Sequence, residues 1–147
     1  MSKESSQPLS IGAVFYDGAA IALPGAPILY TVPAGLRIRV GSIRVRLTTD
    51  ANVANRRVIL TLNRGGAELL AIVGALAHAA SVTYRYQYFV GSVREIAAVD
   101  SYINAPFPPD VDLVGGDIVS IGATSIQVGD QFSEMRLTGR MWIVQAS

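Results

Sequence analysis

The chain's one histidine, His78, lies in Leu76-Ala77-His78-Ala79-Ala80, and histidine is the side chain whose ordinary pKa lets it exchange a proton near neutrality. General acid and base catalysis needs titratable groups gathered in a pocket, so His78 could be catalytic only if folding brought carboxylates or a nucleophile to it. The plainer reading, which we prefer, is a loop or partly buried histidine with a hydrogen-bond partner. No G-x-S-x-G elbow is present to expose a serine nucleophile. There is no cysteine, which excludes disulfides, thiolate metal sites and thiol nucleophiles. One histidine without cysteine does not make a transition-metal site. Asp110-Val111-Asp112 places two acids on one face of an extended segment, and Asp117 and Asp130 follow at turns. Calcium loops are built from such oxygens, but D-x-[DN]-x-[DN]-G is absent and Asp beside Gly or Pro is ordinary turn chemistry. Gly65-Gly66 and Gly115-Gly116 sit between strand candidates and not ahead of a helix that could hold a phosphate. We therefore expect no catalytic residues, no metal and no cofactor, and a protein that is not an enzyme.

Two groups of side chains are better suited to contacts. Arg37, Arg39, Arg44 and Arg46 project from one long strand candidate, and Arg56-Arg57 open a later one. Should those strands pair, the arginines would form a basic stripe. It could be a solvated face with acidic cross-strand partners, an interface to acidic surface on a neighbouring subunit, or a nucleic-acid contact. The last ranks lowest, because no aromatic stacking platforms interleave with the arginines. Tyr84, Tyr86 and Tyr88 share a strand face. They could form a sugar- or partner-binding ledge, or a sheet face packed beneath a loop or a subunit; the packed readings are preferred because no polar constellation accompanies them.

The whole chain agrees with a contact role. Of its 147 residues 50% are hydrophobic and 16% charged, against about 25% charged in an average soluble domain. A chain with so few charges buries an unusual share of itself or covers part of its outside with a partner. Twelve basic and eleven acidic residues leave a net charge of +1, which offers no broad field for the phosphate neutralisation that dominates nucleic-acid binding. Lys3 is the only lysine; arginine suits planar, interfacial contacts better, though a GC-rich genome would give the same bias. The start, Met1 to Ser10, is polar and shows no signal peptide. The longest apolar stretch, Leu69 to Ala80, is shorter than the ~20 residues of a membrane span. Synthesis in a cytoplasm without export or membrane insertion is expected.

The elements that must carry these residues read as strands. Met1 to Ser10 resembles a flexible arm, with nothing to bury, and the ordered part begins at Ile11, anchored by Val14, Phe15 and Tyr16. Ile28 to Val32 is a short strand. In Leu36 to Thr48, Leu36, Ile38 and Val40 alternate with arginines, then Ile43, Val45 and Leu47 do so on the opposite parity. Period-two alternation marks a strand with one buried face, and a parity flip at Gly41-Ser42 predicts a β-bulge or a bend. Arg57 to Leu62 and Glu68 to Val73 flank the hairpin turn Asn63-Arg64-Gly65-Gly66, with an irregular stretch over Ala75 to Ala80. Ser81 to Val90, Ala97 to Ile103, Asp117 to Ile121 and Glu134 to Val144 complete the set. Trp142 and Val144 break the polar face of the last strand and predict burial on both sides there. The expectation is an all-β fold: a flexible arm over residues 1–10, then a single jelly-roll-like β-sandwich over 11–147 of about eight antiparallel strands. An immunoglobulin-like sandwich is the alternative.

The run Val32-Pro33-Ala34-Gly35-Leu36-Arg37-Ile38-Arg39-Val40, continuing from Ser42 through Asp50, together with Val53-Ala54-Asn55-Arg56-Arg57-Val58, Pro108-Pro109-Asp110, Gly115-Gly116-Asp117 and Gly129-Asp130-Gln131, resembles small jelly-roll virion structural proteins of tailed bacteriophages. The resemblance covers Tyr30 to Val144 and rests on turns and strand starts. It implies a capsid decoration, cement or minor capsid protein, located in the virion after synthesis in a host cytoplasm. Its partners would be a major capsid protein or other virion protein, with homo-oligomeric contacts and no catalytic residues. A tail, receptor-binding or carbohydrate-binding β-sandwich module is the alternative, motivated by the tyrosines.

Overall fold

The structure, a computed structural model, describes residues 4–17 and 22–146, with side chains described over 22–144. Ten strands are present among the described residues and no helix: β1 (Glu4–Asp17), β2 (Ile28–Thr31), β3 (Leu36–Thr48), β4 (Val58–Arg64), β5 (Ala67–Val73), β6 (Thr83–Phe89), β7 (Tyr102–Pro106), β8 (Asp112–Val114), β9 (Ile118–Ala123) and β10 (Gln131–Ala146). They form two sheets. Sheet A runs β1-β10-β3-β6-β7 with β8 also on β3, and sheet B runs β2-β9-β4-β5.

The pairing is that of a jelly roll. β1 pairs β10, β2 pairs β9, β3 pairs β6 and β4 pairs β5, all antiparallel, as when one long hairpin is rolled up so that alternate strand pairs fall in opposite sheets. β7 and β8 are insertions between β6 and β9. β7 runs parallel to β6, which residues 90–101 permit by carrying the chain back, since parallel neighbours need a crossover of about a dozen residues or more. The sequence placed this strand at Ala97 to Ile103 and used Pro106 as its stop. The strand in fact starts at Tyr102 and includes Pro106, which an edge strand tolerates because one row of its N–H groups needs no partner.

The core follows from alternation. Ile38, Val40, Ile43, Val45 and Leu47 of β3 point inward with Tyr86 and Tyr88 of β6 and Phe132, Met135 and Leu137 of β10. Opposite them lie Ile28 of β2, Val58, Leu60 and Leu62 of β4, and Val119 and Ile121 of β9. The parity flip in β3 is a bulge: Ser42 faces Thr138 and Val40 faces Gly139, which leaves Gly41 as the extra residue. Gly139 has φ +153°, and a β-carbon there would fall on the Arg39 carbonyl oxygen, so glycine is what lets the strands meet. A second bulge sets Glu134 and Met135 against Val45, with Glu134 at φ +54°.

Residues 4–10, assigned by composition to the arm, run extended along β10, with Glu4 opposite Ala146 and Pro8 opposite Trp142. Ladder hydrogen bonds need no apolar side chain, so a polar composition conceals such pairing. Met1 to Lys3 and the side chains of Val14, Phe15 and Tyr16 lie outside the described residues. The far end of β10 is less buried than expected: Trp142 and Val144 are half-buried and Ile143 is 40% exposed.

Candidate functional site

The polar side chains sort into a buried network and an exposed arginine-lined face. Arg56, predicted to border a surface stripe, is fully buried. Its Nε donates to Asp130 at 2.5 Å, and its Nη2 donates to Asp50 at 2.9 Å and to the Asn52 carbonyl at 2.8 Å. The stripe fails for a topological reason: β3 lies in sheet A and β4 in sheet B, so the arginines before β4 cannot extend those of β3. Arg57 donates to the Ala75 carbonyl. Asp130 also accepts from the backbone N–H of Asp50 and Gln127. Burial pushes its pKa up, but hydrogen bonds from Arg56 and these two amides outweigh that and hold it below the usual carboxylate range. Asp117 accepts both donors of the Arg64 fork at 2.9 and 2.8 Å and the Val114 N–H, and the Arg64 hydrogen bonds dominate in lowering its pKa.

His78 is fully buried beside this network. Nε2 lies 2.9 Å from the Val82 carbonyl, which can only accept, so Nε2 carries the proton and Nδ1 accepts from the Tyr86 hydroxyl at 2.7 Å. Burial lowers the His78 pKa, opposed by the bond to Val82 and aided by the charge of Arg56. Thus His78 is deeper than a loop histidine, and it works as a clamp between Tyr86 and the turn before β6. Tyr86 and Tyr88 are core residues, 3% and 2% exposed, and Tyr84 is half-buried with its ring 4.7 Å from that of His78. The ledge proposed for these tyrosines is therefore corrected: their face of β6 points between the sheets, where no sugar can reach. Burial raises the pKa of Tyr86 and Tyr88. Among the described residues no group of three His, Cys, Asp or Glu side chains is placed to hold a metal ion.

The arginines of β3 divide into two pairs on the outer face of sheet A. Arg39 is held bidentately by Asp112 at 2.8 and 3.1 Å. Arg37 lies 3.5 Å from the same carboxylate, with its guanidinium 4.9 Å from the centre of the Trp142 ring. These two are spoken for by the chain's own groups. Arg44 and Arg46 differ in standing opposite other arginines. In register, Arg44 stands opposite Arg136 of β10, and Arg46 stands opposite Arg85 of β6. Arg44, Arg46, Arg85, Arg136, Val45 and Glu134 line a polar depression of about 200 Å³. Arg46 reaches Glu134 at 3.4 Å and Ser133 at 3.2 Å, and Arg85 sits 5.7 Å from the centre of the Tyr102 ring. Sequence reading singled out Arg44 and Arg46 but missed Arg85, Arg136 and Glu134, because only the cross-strand register brings residues so far apart in the chain to one place. Their polar parity on β6 and β10 was the available signal.

A second exposed feature is apolar. Val93, Ile96 and Val99 on the loop after β6 are 70%, 76% and 64% exposed, and Val73 at the end of edge strand β5 is 47% exposed. Beside them an open apolar groove is lined by Ile72, Val73, Arg94 and Pro106 through Pro109. Arg94 ties the loop to β5 by donating to the Val73 carbonyl at 3.3 Å.

No family model matches the chain, and no curated protein matches it. Solved structures do. Dimeric latent PorU from Porphyromonas gingivalis is 8% identical with a TM-score of 0.37, over 99% of this chain and 13% of that one. The T13 IBDV viral particle gives 12% identity and 0.32 over 99% and 35%. The infectious bursal disease virus VP2 subviral particle gives 12% and 0.25 over 97% and 32%. The chain thus spans 13% of the first of these and about a third of the viral chains. At such scores the fold assignment stands on the strand pairing of this chain alone.

Proposed function

We propose that this chain is a structural, non-enzymatic component of a virus particle, as a capsid decoration or minor capsid protein of a tailed bacteriophage, acting by packing against copies of itself and other virion proteins. The observation that carries this reading is the open apolar groove lined by Ile72, Val73 and Pro106 through Pro109, with Val93, Ile96 and Val99 exposed on the loop after β6. An exposed apolar groove of this kind marks contact sites, and the open edge of β5 that lines it invites a neighbour. The low charge fraction and the resemblance of the turns to jelly-roll virion proteins support the same reading. Jelly rolls host many functions, so the exposed apolar groove and not the fold carries the reading. Symmetric repetition then lets weak contacts sum to a stable shell.

The test is sedimentation velocity on the full chain over a range of concentrations, with V93D/I96D as comparison. We expect reversible association of the parent chain and at least a tenfold weaker association of the variant. A parent chain that stays strictly monomeric, and is absent by mass spectrometry from particles of the phage that encodes it, would overturn the proposal.

A further inference from the structure

We propose that the depression lined by Arg44, Arg46, Arg85 and Arg136 on the outer face of sheet A binds a phosphate group. The inference stands apart from the virion reading, since a chain that never assembles could bind phosphate and an assembling one need not.

The argument begins with register. Arginine faces arginine twice, Arg44 against Arg136 across β3 and β10 and Arg46 against Arg85 across β3 and β6. Like charges directly opposite on a sheet destabilise it, and the neighbouring positions show that this chain can arrange otherwise: two residues before the Gly41 bulge, Arg39 takes Asp112 bidentately. Between the two like-charge pairs the sheet has instead a hollow of about 200 Å³. No salt bridge to Arg44 or Arg85 exists among the described residues.

Shape then selects the anion. A planar carboxylate takes one guanidinium fork edge to edge, as Asp112 takes Arg39 while Arg37 of the same strand stays at 3.5 Å, whereas a phosphate presents oxygens in several directions and can be shared by forks arriving from different strands. Glu134 shows the limit of a carboxylate here: it engages Arg46 at 3.4 Å and leaves Arg44 and Arg85 without a salt bridge among the described residues. The bulge at Glu134 and Met135 places Ser133 and Glu134 consecutively on the outer side of β10, a re-aiming that bulges commonly perform beside sites. A side chain at φ +54° is unusual outside glycine and asparagine. Glu134 therefore acts as a counter-ion that holds Arg46 to one side and weakens, but does not fill, the positive hollow.

Isothermal titration at low ionic strength decides the matter, with tripolyphosphate as the first probe, a short single-stranded oligodeoxynucleotide as the second and poly-glutamate as the third. We expect tripolyphosphate binding that falls at least tenfold in R44Q/R85Q, tightens several-fold in E134Q and is unchanged in R94Q, whose guanidinium lies on the opposite sheet's edge. An oligonucleotide bound more tightly than tripolyphosphate, with a steep salt dependence, assigns the phosphate to a polymer; tripolyphosphate binding alone assigns it to a free ion. R44Q/R85Q should melt no lower than the parent at low salt, because it removes like-charge opposition. Poly-glutamate binding as tightly as either phosphate probe, no binding above chloride, or binding untouched by R44Q/R85Q would each overturn the proposal.

Discussion

His78 illustrates how far a residue's chemistry depends on where folding leaves it. Its type admits catalysis, while its position, fully buried with both ring nitrogens bonded, makes it a structural pin. Because burial holds its pKa below the ordinary value, the unfolded chain binds a proton there that the folded chain refuses. Stability contributed by neutral His78 is thus complete above the unfolded pKa of about 6.5 and declines as pH falls toward the folded value, with a slope of at most about 1.4 kcal/mol per pH unit. Asp117 and Asp130 act lower down: their pKa values are depressed, so their contribution persists above the ordinary carboxylate range near about 4 and is lost on acidifying through the folded values. Urea midpoints followed with pH should show a first decline beginning near 6.5 that flattens in H78Q while the acid limb remains. An unchanged decline in H78Q would mean that some other group is its source. Arg56 makes the complementary point. Its pairing to Asp130 and Asp50 joins the loop after β3 to the turn before β10, and removing one member of such a buried pair is more damaging than never having had it.

Among elements, β3 was the most legible and β10 the most consequential. Alternation alone located β3 with its ends at Leu36 and Thr48 and its parity change at Gly41, because one face is buried along nearly its whole length. The hairpin of β4 and β5 was legible from its turn. β8, three residues long, was not, since so short a strand has no period to detect, and the first half of β1, residues 4–10, was concealed by a polar composition that backbone pairing ignores. The tyrosines were ambiguous because alternation identifies a shared face without saying whether it points in or out. The arginine face was only half visible for a related reason: strand order, which a single sequence does not state, decides who stands opposite whom. Gly139 tests the junction of β10 with the β3 bulge. G139A should destabilise the fold by about 3 kcal/mol or more through backbone strain and the clash with Arg39, as read by urea denaturation. A loss below about 1 kcal/mol would show that the bulge yields easily.

At the scale of the molecule the two faces of the protein are chemically distinct. The outer side of sheet A carries an arginine-lined hollow, and the margin where β5 approaches the loop after β6 carries exposed valines and isoleucine. One is suited to a compact anion and the other to apolar contact, so the two activities proposed above can be removed separately by substitution. The internal ion pairs of Arg56 and Arg64 stand apart from both and serve to hold loops and turns to the sandwich.

The position of β10 within sheet A reaches back to how the molecule is made. It lies between β1 and β3, so an interior stave is made after the other nine described strands, and β1 waits while eight strands are made before its mate appears. Topologies dominated by such distant pairings mature slowly. Stalled nascent chains that end before Gln131 should remain open to protease, with resistance arriving only after Ala146 has emerged. Early resistance would mean that β2 to β9 can close on their own and that the last strand merely seals them.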